Sequence, residues 1–257
     1  MRSGRSPPFL SKQEKYLQNK MTKSRLQILL IFVAIIGIIL LLLYFSWSTL
    51  FPKPVNLILQ QRTSNDVSET LLLDDDTIMG KPDAPVLIVE FGEFMCPYCG
   101  QIHREIEPLW RKEYIETGKA KYVFRDYINL GHLRAFTAAE ANECADAQGK
   151  QWPMYDLLFD NAYTGDAWAQ LPNRKDFIEI MNRYAQHLNL DVALFKECIN
   201  NSTFGEEVQL DASAGSQLGI FGTPVIYIGN DQTGFVKIRG AQPYSVYTQI
   251  IDEKLKS

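Results

Sequence analysis

Two cysteines separated by two residues, Cys96 and Cys99, stand between an apolar run and a segment with helical periodicity. The run Val86–Phe91 is rich in β-branched and aromatic residues and follows a turn, which predicts a buried strand. Helical spacing then continues to about Thr117, and a second β-rich run covers Lys121–Tyr127. Strand, helix and strand in this order predict a βαβ unit with parallel strands and a right-handed crossover.

The rest of the chain predicts a helical insertion followed by more sheet. From about residue 132 to 218 nearly every segment has helical period, enough for four or five short helices. Two β-rich runs, 223–229 and 234–240, are joined by a short turn and predict a hairpin. A last helix is expected over 244–255. The expected fold is an α/β sheet that carries a helical lid.

An uncharged apolar stretch, Ile28–Phe45, lies near the N-terminus. Roughly 20 such residues span the hydrocarbon core of a bilayer as a helix. A cleaved signal peptide is the alternative, but its apolar region is usually about 7–15 residues long and ends at a small-residue cleavage site. The residues that follow, Phe45-Ser46-Trp47, offer no such site. We therefore expect a single transmembrane anchor over 26–47.

Charge gives the predicted orientation of this anchor. The tail, residues 1–25, holds seven basic residues and one acidic residue, whereas the whole chain has a net charge of −4. By the positive-inside rule the tail is cytoplasmic, and the rest lies on the outer side of the cell membrane. The acidic remainder argues against nucleic acid as a partner. Residues 48–76 contain Pro52, Pro54, the polar run QQRTSNDVSET and an acidic triplet, which predicts a linker to a domain at 77–257.

The cysteine pair at 96 and 99 has a metal interpretation and a redox interpretation. A structural zinc site needs four ligands, but the chain's other cysteines and its three histidines are scattered singly. In the redox interpretation Cys96 begins a helix, where unpaired N–H groups and the helix dipole favour a thiolate. Pro97 suits the first helical turn, and Cys99 lies one turn on, within reach of a disulfide. This spacing favours redox chemistry, with no metal and no organic cofactor required.

From Thr77 to its end the chain resembles the DsbA-like thioredoxin-fold thiol–disulfide oxidoreductases. The motifs that carry this resemblance are Gly80-Lys81-Pro82-Asp83-Ala84-Pro85, Val89-Glu90-Phe91, Phe94-Met95-Cys96-Pro97-Tyr98-Cys99 and Gly219-Ile220-Phe221-Gly222-Thr223-Pro224-Val225. The resemblance implies a thioredoxin-like fold with a helical insertion. The intervening pair Pro97-Tyr98 differs from the Pro-His of the family's strongest oxidants, so the redox potential is left open.

The resemblance also implies roles for individual residues. Cys96 matches the attacking cysteine and Cys99 the resolving one, so that they form a redox-active disulfide. Pro224 matches the family's cis-proline beside the active site, and Thr223 before it would pair with an extended substrate peptide. Glu90 falls where the family often keeps an acidic residue under the cysteine pair. It either exchanges a proton with Cys99 or is an ordinary satisfied polar residue at the sheet edge.

Three further expectations concern residues around this core. Glu93 is expected to be solvated. Cys144 and Cys198 are either two buried thiols or, on the oxidising side, a structural disulfide that staples the insertion, as in some relatives. The aromatic residues of the lid are either helix core or an apolar surface for unfolded substrate chains. They are Trp152, Tyr155, Phe159, Tyr163 and Trp168.

These observations predict a membrane-anchored, extracytoplasmic thiol–disulfide oxidoreductase that forms disulfides in secreted or surface proteins. By resemblance, a quinone-linked membrane partner would restore its disulfide. Two alternatives stay open. One is a reductase or isomerase of the same fold, distinguished by the redox potential of the pair. The other is a binding or chaperone module with an unreactive Cys96.

Overall fold

The computed structural model describes residues 35–38, 63–64, 67–73, 75–129 and 131–256. The chain separates into two units, Met1–Leu57 and Ile58–Ser257. In the first unit only residues 35–38 are described, and they are helical. The predicted basic tail and the rest of the predicted anchor, 26–47, therefore lie outside the described residues. Within the described ranges, no helix is both long and apolar enough to cross a membrane.

One five-stranded sheet organises the second unit. Its strands are β1 (Thr63–Ser64), β2 (Val86–Gly92), β3 (Ala120–Asp126), β4 (Val225–Asn230) and β5 (Gly234–Arg239). They lie side by side in the order β1-β5-β4-β2-β3, with β2 and β3 parallel and the other pairs antiparallel. The predicted βαβ unit and the predicted hairpin are both present. The thioredoxin-like α/β fold expected from the sequence is thereby confirmed.

The central strand β2 is buried along its whole length, as a strand covered on both faces should be. Its apolar side chains, among them Val89 and Phe91, form one core with Tyr227 of β4 and Phe235 of β5. β2 ends at Gly92, so the residues that follow it lie at the carboxyl end of the central strand. Because this strand packs in the core, the position of those residues is fixed.

The folded unit begins before Thr77, within the segment that the sequence assigns to a linker. A short helix, α1 (Glu69–Leu72), places Leu72 in the core with no exposed surface. Nearby, Lys121 Nζ lies 2.5 Å from Glu69 Oε1. The strand β1 also pairs with β5. Such short elements have no periodicity of their own, so the sequence pattern does not predict them.

The helix after the cysteines is continuous but not uniform. It consists of α2 (Pro97–Gln101), a π-helical turn over Ile102–Ile106, α3 (Glu107–Trp110) and a second π-helical turn over Arg111–Ile115. Pro108 has no N–H to donate into the preceding turn, and the helix is widened in the turn before it.

The helical insertion falls where the sequence predicts it. It contains α4 (Ala135–Asp146), α5 (Gln151–Asn161), α6 (Arg174–His187), α7 (Val192–Asn201) and α8 (Gly205–Gln217), with a 3₁₀ turn at Trp168–Gln170. After β4 and β5, α9 (Tyr244–Lys256) closes the chain. The hairpin between β4 and β5 requires glycine at position 229, because an added Cβ would lie 2.2 Å from the carbonyl oxygen of Gly234.

Candidate redox site

Cys96 lies at the N-terminal end of a helix, directly after the central strand. It is the N-cap of α2, and Pro97 occupies the first helical turn. Both Cys96 and Cys99 are free thiols, with 5% and 1% of their surface exposed. Cys96 is therefore the cysteine nearer to solvent, and an incoming thiol meets it first.

The surroundings of Cys96 favour its ionised form and lower its pKa to about 6. The hydrogen bond from the Cys99 thiol is the main cause, and it outweighs the opposing effect of burial. Hydrogen bonds from Thr223 and from the backbone N–H groups of Cys99 and Tyr98 add to it. Unpaired N–H groups at the start of a helix act in this way on an anion. At neutral pH the Cys96 sulfur is mostly thiolate, the species that attacks disulfides.

Cys99 has the opposite character. Burial raises its pKa well above the ordinary thiol value, and the neighbouring Cys96 and Glu90 raise it further. One thiolate and one thiol therefore share the hydrogen bond between the two sulfurs. This asymmetry fits an attacking sulfur at 96 and a resolving sulfur at 99.

Glu90 lies beneath Cys99 in the centre of the sheet. Its carboxyl group is fully buried, and burial raises its pKa well above the usual range. A Cβ atom added at Gly92 would be 3.1 Å from Cys99 Sγ and 3.2 Å from Glu90 Oε1, so both groups lie close to Gly92. Because β2 lies between β4 and β3, Glu90 is not at a sheet edge. A carboxyl group with a raised pKa beside Cys99 suits proton exchange with that sulfur.

The loop before β4 faces Cys96 from the other side. The Thr223–Pro224 peptide bond is cis, and the carbonyl oxygen of Thr223 lies 3.5 Å from Cys96 Sγ. Phe221, two residues earlier, is 91% exposed. The structure thus brings together all five residues that the sequence singled out for the site: Glu90, Cys96, Cys99, Thr223 and Pro224.

The expectation that Glu93 is solvated is wrong. Its side chain is fully buried, accepts a hydrogen bond of 2.9 Å from the backbone N–H of Met95, and forms a short contact with His132 Nδ1. Burial raises the pKa of Glu93. Sequence reasoning missed this pair because His132 is 39 residues away and no local pattern links the two. The pair holds the loop that leads into Cys96.

The aromatic residues of the lid divide between core and surface. Tyr155, Phe159 and Trp168 are buried, whereas Tyr163 is 43% exposed and donates a hydrogen bond to the carbonyl of Met95. Tyr163 and Phe159 line a cavity of about 280 Å³ beside Cys96. The core interpretation holds for Tyr155, Phe159 and Trp168, Trp152 is half-buried, and the surface interpretation holds for Tyr163.

The other two cysteines are joined to each other. Cys144 in α4 and Cys198 in α7 form a disulfide across a sequence separation of 54. Cys144 is 1% exposed and Cys198 is half-buried, so the Cys144 side of this bond is shielded from incoming thiols. It ties the first helix of the insertion to the fourth, while the exchange chemistry is left to the pair at 96 and 99.

One group of potential metal ligands occurs in the described part of the chain. It comprises His103, Glu107 and Asp156 and does not include either cysteine of the pair. Arg111 already neutralises it: Arg111 Nε donates to Glu107 Oε1 at 2.7 Å, and Arg111 Nη2 donates to Asp156 at 2.5 Å. The guanidinium group occupies the place that a cation would take, so this cluster supports no metal site.

Comparison with known proteins agrees with this geometry. Residues 73–253 match the model of a family described as Thioredoxin. Disulfide bond formation protein D of Bacillus subtilis is 26% identical over 181 residues, which cover 70% of this chain and 77% of that protein. The Na(+)/H(+) antiporter NhaA 3 of Salinispora tropica is 32% identical over 159 residues, or 60% of this chain. This chain spans only 22% of that antiporter.

Solved structures of DsbA-like proteins are also similar to this chain. Alpha-DsbA1 of Wolbachia pipientis superposes with a TM-score of 0.62 at 29% identity, over 74% of this chain and 96% of that one. Oxidised BdbD of Bacillus subtilis superposes with a TM-score of 0.59 at 26% identity, over 71% and 94%.

Proposed function

The chain belongs to the thioredoxin family and is similar to its DsbA-like members, and from this premise we propose that it is a thiol–disulfide oxidoreductase that forms disulfides outside the cytoplasm. The observation that carries the proposal is the contrast between Cys96, whose pKa falls to about 6, and Cys99, whose pKa is raised. A stabilised Cys96 thiolate is a good leaving group, and it stabilises the reduced protein relative to the disulfide form. Both effects favour oxidation of the substrate.

The proposed reaction starts from the Cys96–Cys99 disulfide. A substrate thiolate attacks Cys96 Sγ, forms a mixed disulfide and releases Cys99 as a thiolate, which takes up a proton. The second substrate thiolate then attacks the substrate sulfur of the mixed disulfide and expels the Cys96 thiolate. The substrate loses two electrons and this protein gains them. Of the two substrate protons, one is balanced by the proton on Cys99 and the other goes to solvent.

The surroundings of Cys96 support polypeptide substrates. On one side lies the cavity lined by Phe159 and Tyr163, and on the other lies the exposed ring of Phe221 next to Thr223. Apolar surfaces on both sides of a reactive sulfur suit an unfolded segment that carries cysteines. The carbonyl oxygen of Thr223 lies 3.5 Å from Cys96 Sγ, which supports our proposal that this backbone pairs with such a segment. We propose cysteine-containing secreted or surface proteins as the substrates.

The location and the redox partner are also proposals. The apolar stretch Ile28–Phe45 and the basic tail before it support a single-pass anchor with the redox domain outside. The disulfide Cys144–Cys198 suits an oxidising compartment. Each turnover leaves this protein reduced, so an electron acceptor is required, and a quinone-linked membrane protein near the anchor meets that need.

A peptide oxidation assay tests the function. The oxidised full chain, in detergent, is mixed with a reduced peptide that has two cysteines, and the peptide disulfide is measured by mass spectrometry. With an oxidised peptide, whose disulfide the Cys96 thiolate attacks, Cys99→Ser should accumulate the mixed disulfide. With the reduced peptide, Cys96→Ser and Cys99→Ser both lack the Cys96–Cys99 disulfide and should abolish the oxidation activity. The double variant Cys144→Ser/Cys198→Ser serves as the control and should retain it. Equal activity in Cys96→Ser would support a binding module, and preferential reduction of the oxidised peptide would support a reductase.

A further inference from the structure

A line of buried oxygen atoms leads from Glu90 of β2 to Glu107 of α3. The hydroxyl oxygen of Tyr122 of β3 lies 3.1 Å from Glu90 Oε2. The hydroxyl oxygens of Tyr122 and Tyr155 are 3.2 Å apart. Tyr155 of α5 donates to Glu107 Oε2 at 2.6 Å. The side chains of all four residues are buried, so these contacts are made without exposure to solvent.

The number of protons in this line is informative. Four groups in a row make three contacts, and each contact needs one hydrogen. The two tyrosine hydroxyls supply only two. The third must therefore reside on one of the two carboxyl groups, Glu90 or Glu107. Arg111 forms an ion pair with Glu107, whereas no cation contacts Glu90 among the described residues. The hydrogen count and this ion pair assign the third hydrogen to Glu90, which donates to Tyr122, while Tyr122 donates to Tyr155.

The end of the line at Glu107 leads to the surface. His103 Nδ1 is buried, has no hydrogen-bond partner among the described residues, and lies 3.5 Å from Glu107 Oε2. The other ring nitrogen of His103 is 2.9 Å from Asp160 Oδ1, and the side chain of Asp160 is 59% exposed. The pKa of His103 is raised: burial would lower it, but the neighbouring carboxyl groups of Glu107 and Asp160 outweigh that effect. An imidazole between a buried and an exposed carboxylate suits proton transfer.

We propose that Glu90, Tyr122, Tyr155 and Glu107, with His103 at the entrance, form a proton relay that connects Cys99 to solvent. This inference rests on the proposed exchange reaction. When the Cys99 thiolate takes the proton of Glu90, the line is one proton short. A proton that enters from His103 onto Glu107 restores the count, and each hydroxyl then passes its own proton one contact toward Glu90. No electron moves, and the net result is one solvent proton on Cys99.

The relay matters for the rate of exchange because an unprotonated Cys99 thiolate attacks the mixed disulfide and reverses the step. The charged and titratable groups that face the two carboxyl groups come from several elements. Glu90 faces Cys96 and Cys99 of α2, Tyr122 and the more distant Glu107. Glu107 faces His103, Arg111 and Tyr155. Asp156 and Asp160 lie one contact further out.

Removing one hydroxyl interrupts the relay and leaves both sulfurs and both carboxyl groups in place. We would measure stopped-flow reduction of the oxidised full chain by dithiothreitol, in H₂O and in D₂O, through its tryptophan fluorescence. Tyr155→Phe should slow reduction by about a hundredfold, the low end of what proton transfer by a positioned group contributes. A solvent isotope effect absent from the wild-type chain should appear, because proton transfer then limits the rate. Tyr122→Phe should behave alike.

The control is Tyr114→Phe, which removes the hydroxyl that donates to Asp252 at 3.1 Å, outside the line. It should reduce at the wild-type rate with the wild-type isotope ratio. A purely structural role of the tyrosines would lower the melting temperature and leave the isotope ratio unchanged. Reduction of either folded variant at the wild-type rate and isotope ratio overturns the relay. Failure of the wild-type chain itself to react at Cys96 would instead overturn the proposed function.

Discussion

Replacement of Cys99 by alanine should raise the pKa of Cys96, because the hydrogen bond from the Cys99 thiol is the largest cause of its low value. A hydrogen bond to a charged group contributes about 1.5–3 kcal/mol, and one pKa unit corresponds to about 1.4 kcal/mol. The loss is therefore about one to two units, and the pKa of Cys96 should move from about 6 to about 7–8. The backbone N–H groups of α2 remain and keep it below that of a free thiol.

The assay is the rate of alkylation of Cys96 by iodoacetamide as a function of pH, under reducing conditions. At pH 7 the thiolate fraction should fall from about nine-tenths to between about one-half and one-tenth, and the rate should fall with it. Tyr98→Phe is the control, since Tyr98 is 61% exposed and contributes to Cys96 through its backbone N–H. An unchanged pKa in Cys99→Ala would show that the helix terminus alone holds the thiolate, and would refute the role assigned to the Cys99 hydrogen bond.

Three other predictions concern stability. The pKa of Cys96 is lower in the folded chain than in the unfolded chain, so its thiolate stabilises the fold at pH values above the unfolded pKa, and this stabilisation is lost as pH falls. The melting temperature of the reduced chain, relative to Cys96→Ser, should therefore rise between pH 6 and pH 9. A flat difference would contradict the lowered pKa. Leu72→Ala should lower the free energy of unfolding in urea by about 2–5 kcal/mol, and the exposed Leu71→Ala by less than about 0.5 kcal/mol. Similar losses would show that α1 does not pack on the sheet. Replacing Cys144 and Cys198 by serine should cost about 4 kcal/mol in the same measurement, and a cost near zero would mean that the bridge does not constrain the unfolded chain.

The sequence predicts the elements that have a strong period of their own. The apolar run of β2, the helix after Cys96 and the helices of the insertion all lie where their patterns place them. The parallel pairing of β2 and β3 also follows from the sequence, because two neighbouring strands that are joined by a crossover helix run in the same direction.

What the sequence does not predict depends on distant contacts. Glu93 follows a strand, and its sequence context predicts a solvated loop residue. In the structure it is buried and contacts His132 from the start of the insertion. The line through Tyr122 and Tyr155 joins two strands, the helix after the cysteines and one helix of the lid, and each tyrosine alone has the sequence context of an ordinary core residue. The short strand β1 is fixed by its partner β5 and not by its own two residues.

Redox titration of the full chain against glutathione or dithiothreitol buffers, with alkylation and mass spectrometry at each point, tests the central claim most directly. We predict that Cys96 and Cys99 respond together, at a potential more oxidising than about −180 mV, while Cys144 and Cys198 stay bonded. A potential near about −270 mV, the value of thioredoxin, would contradict the proposed direction. A Cys96 that never pairs with Cys99 would contradict the redox site itself.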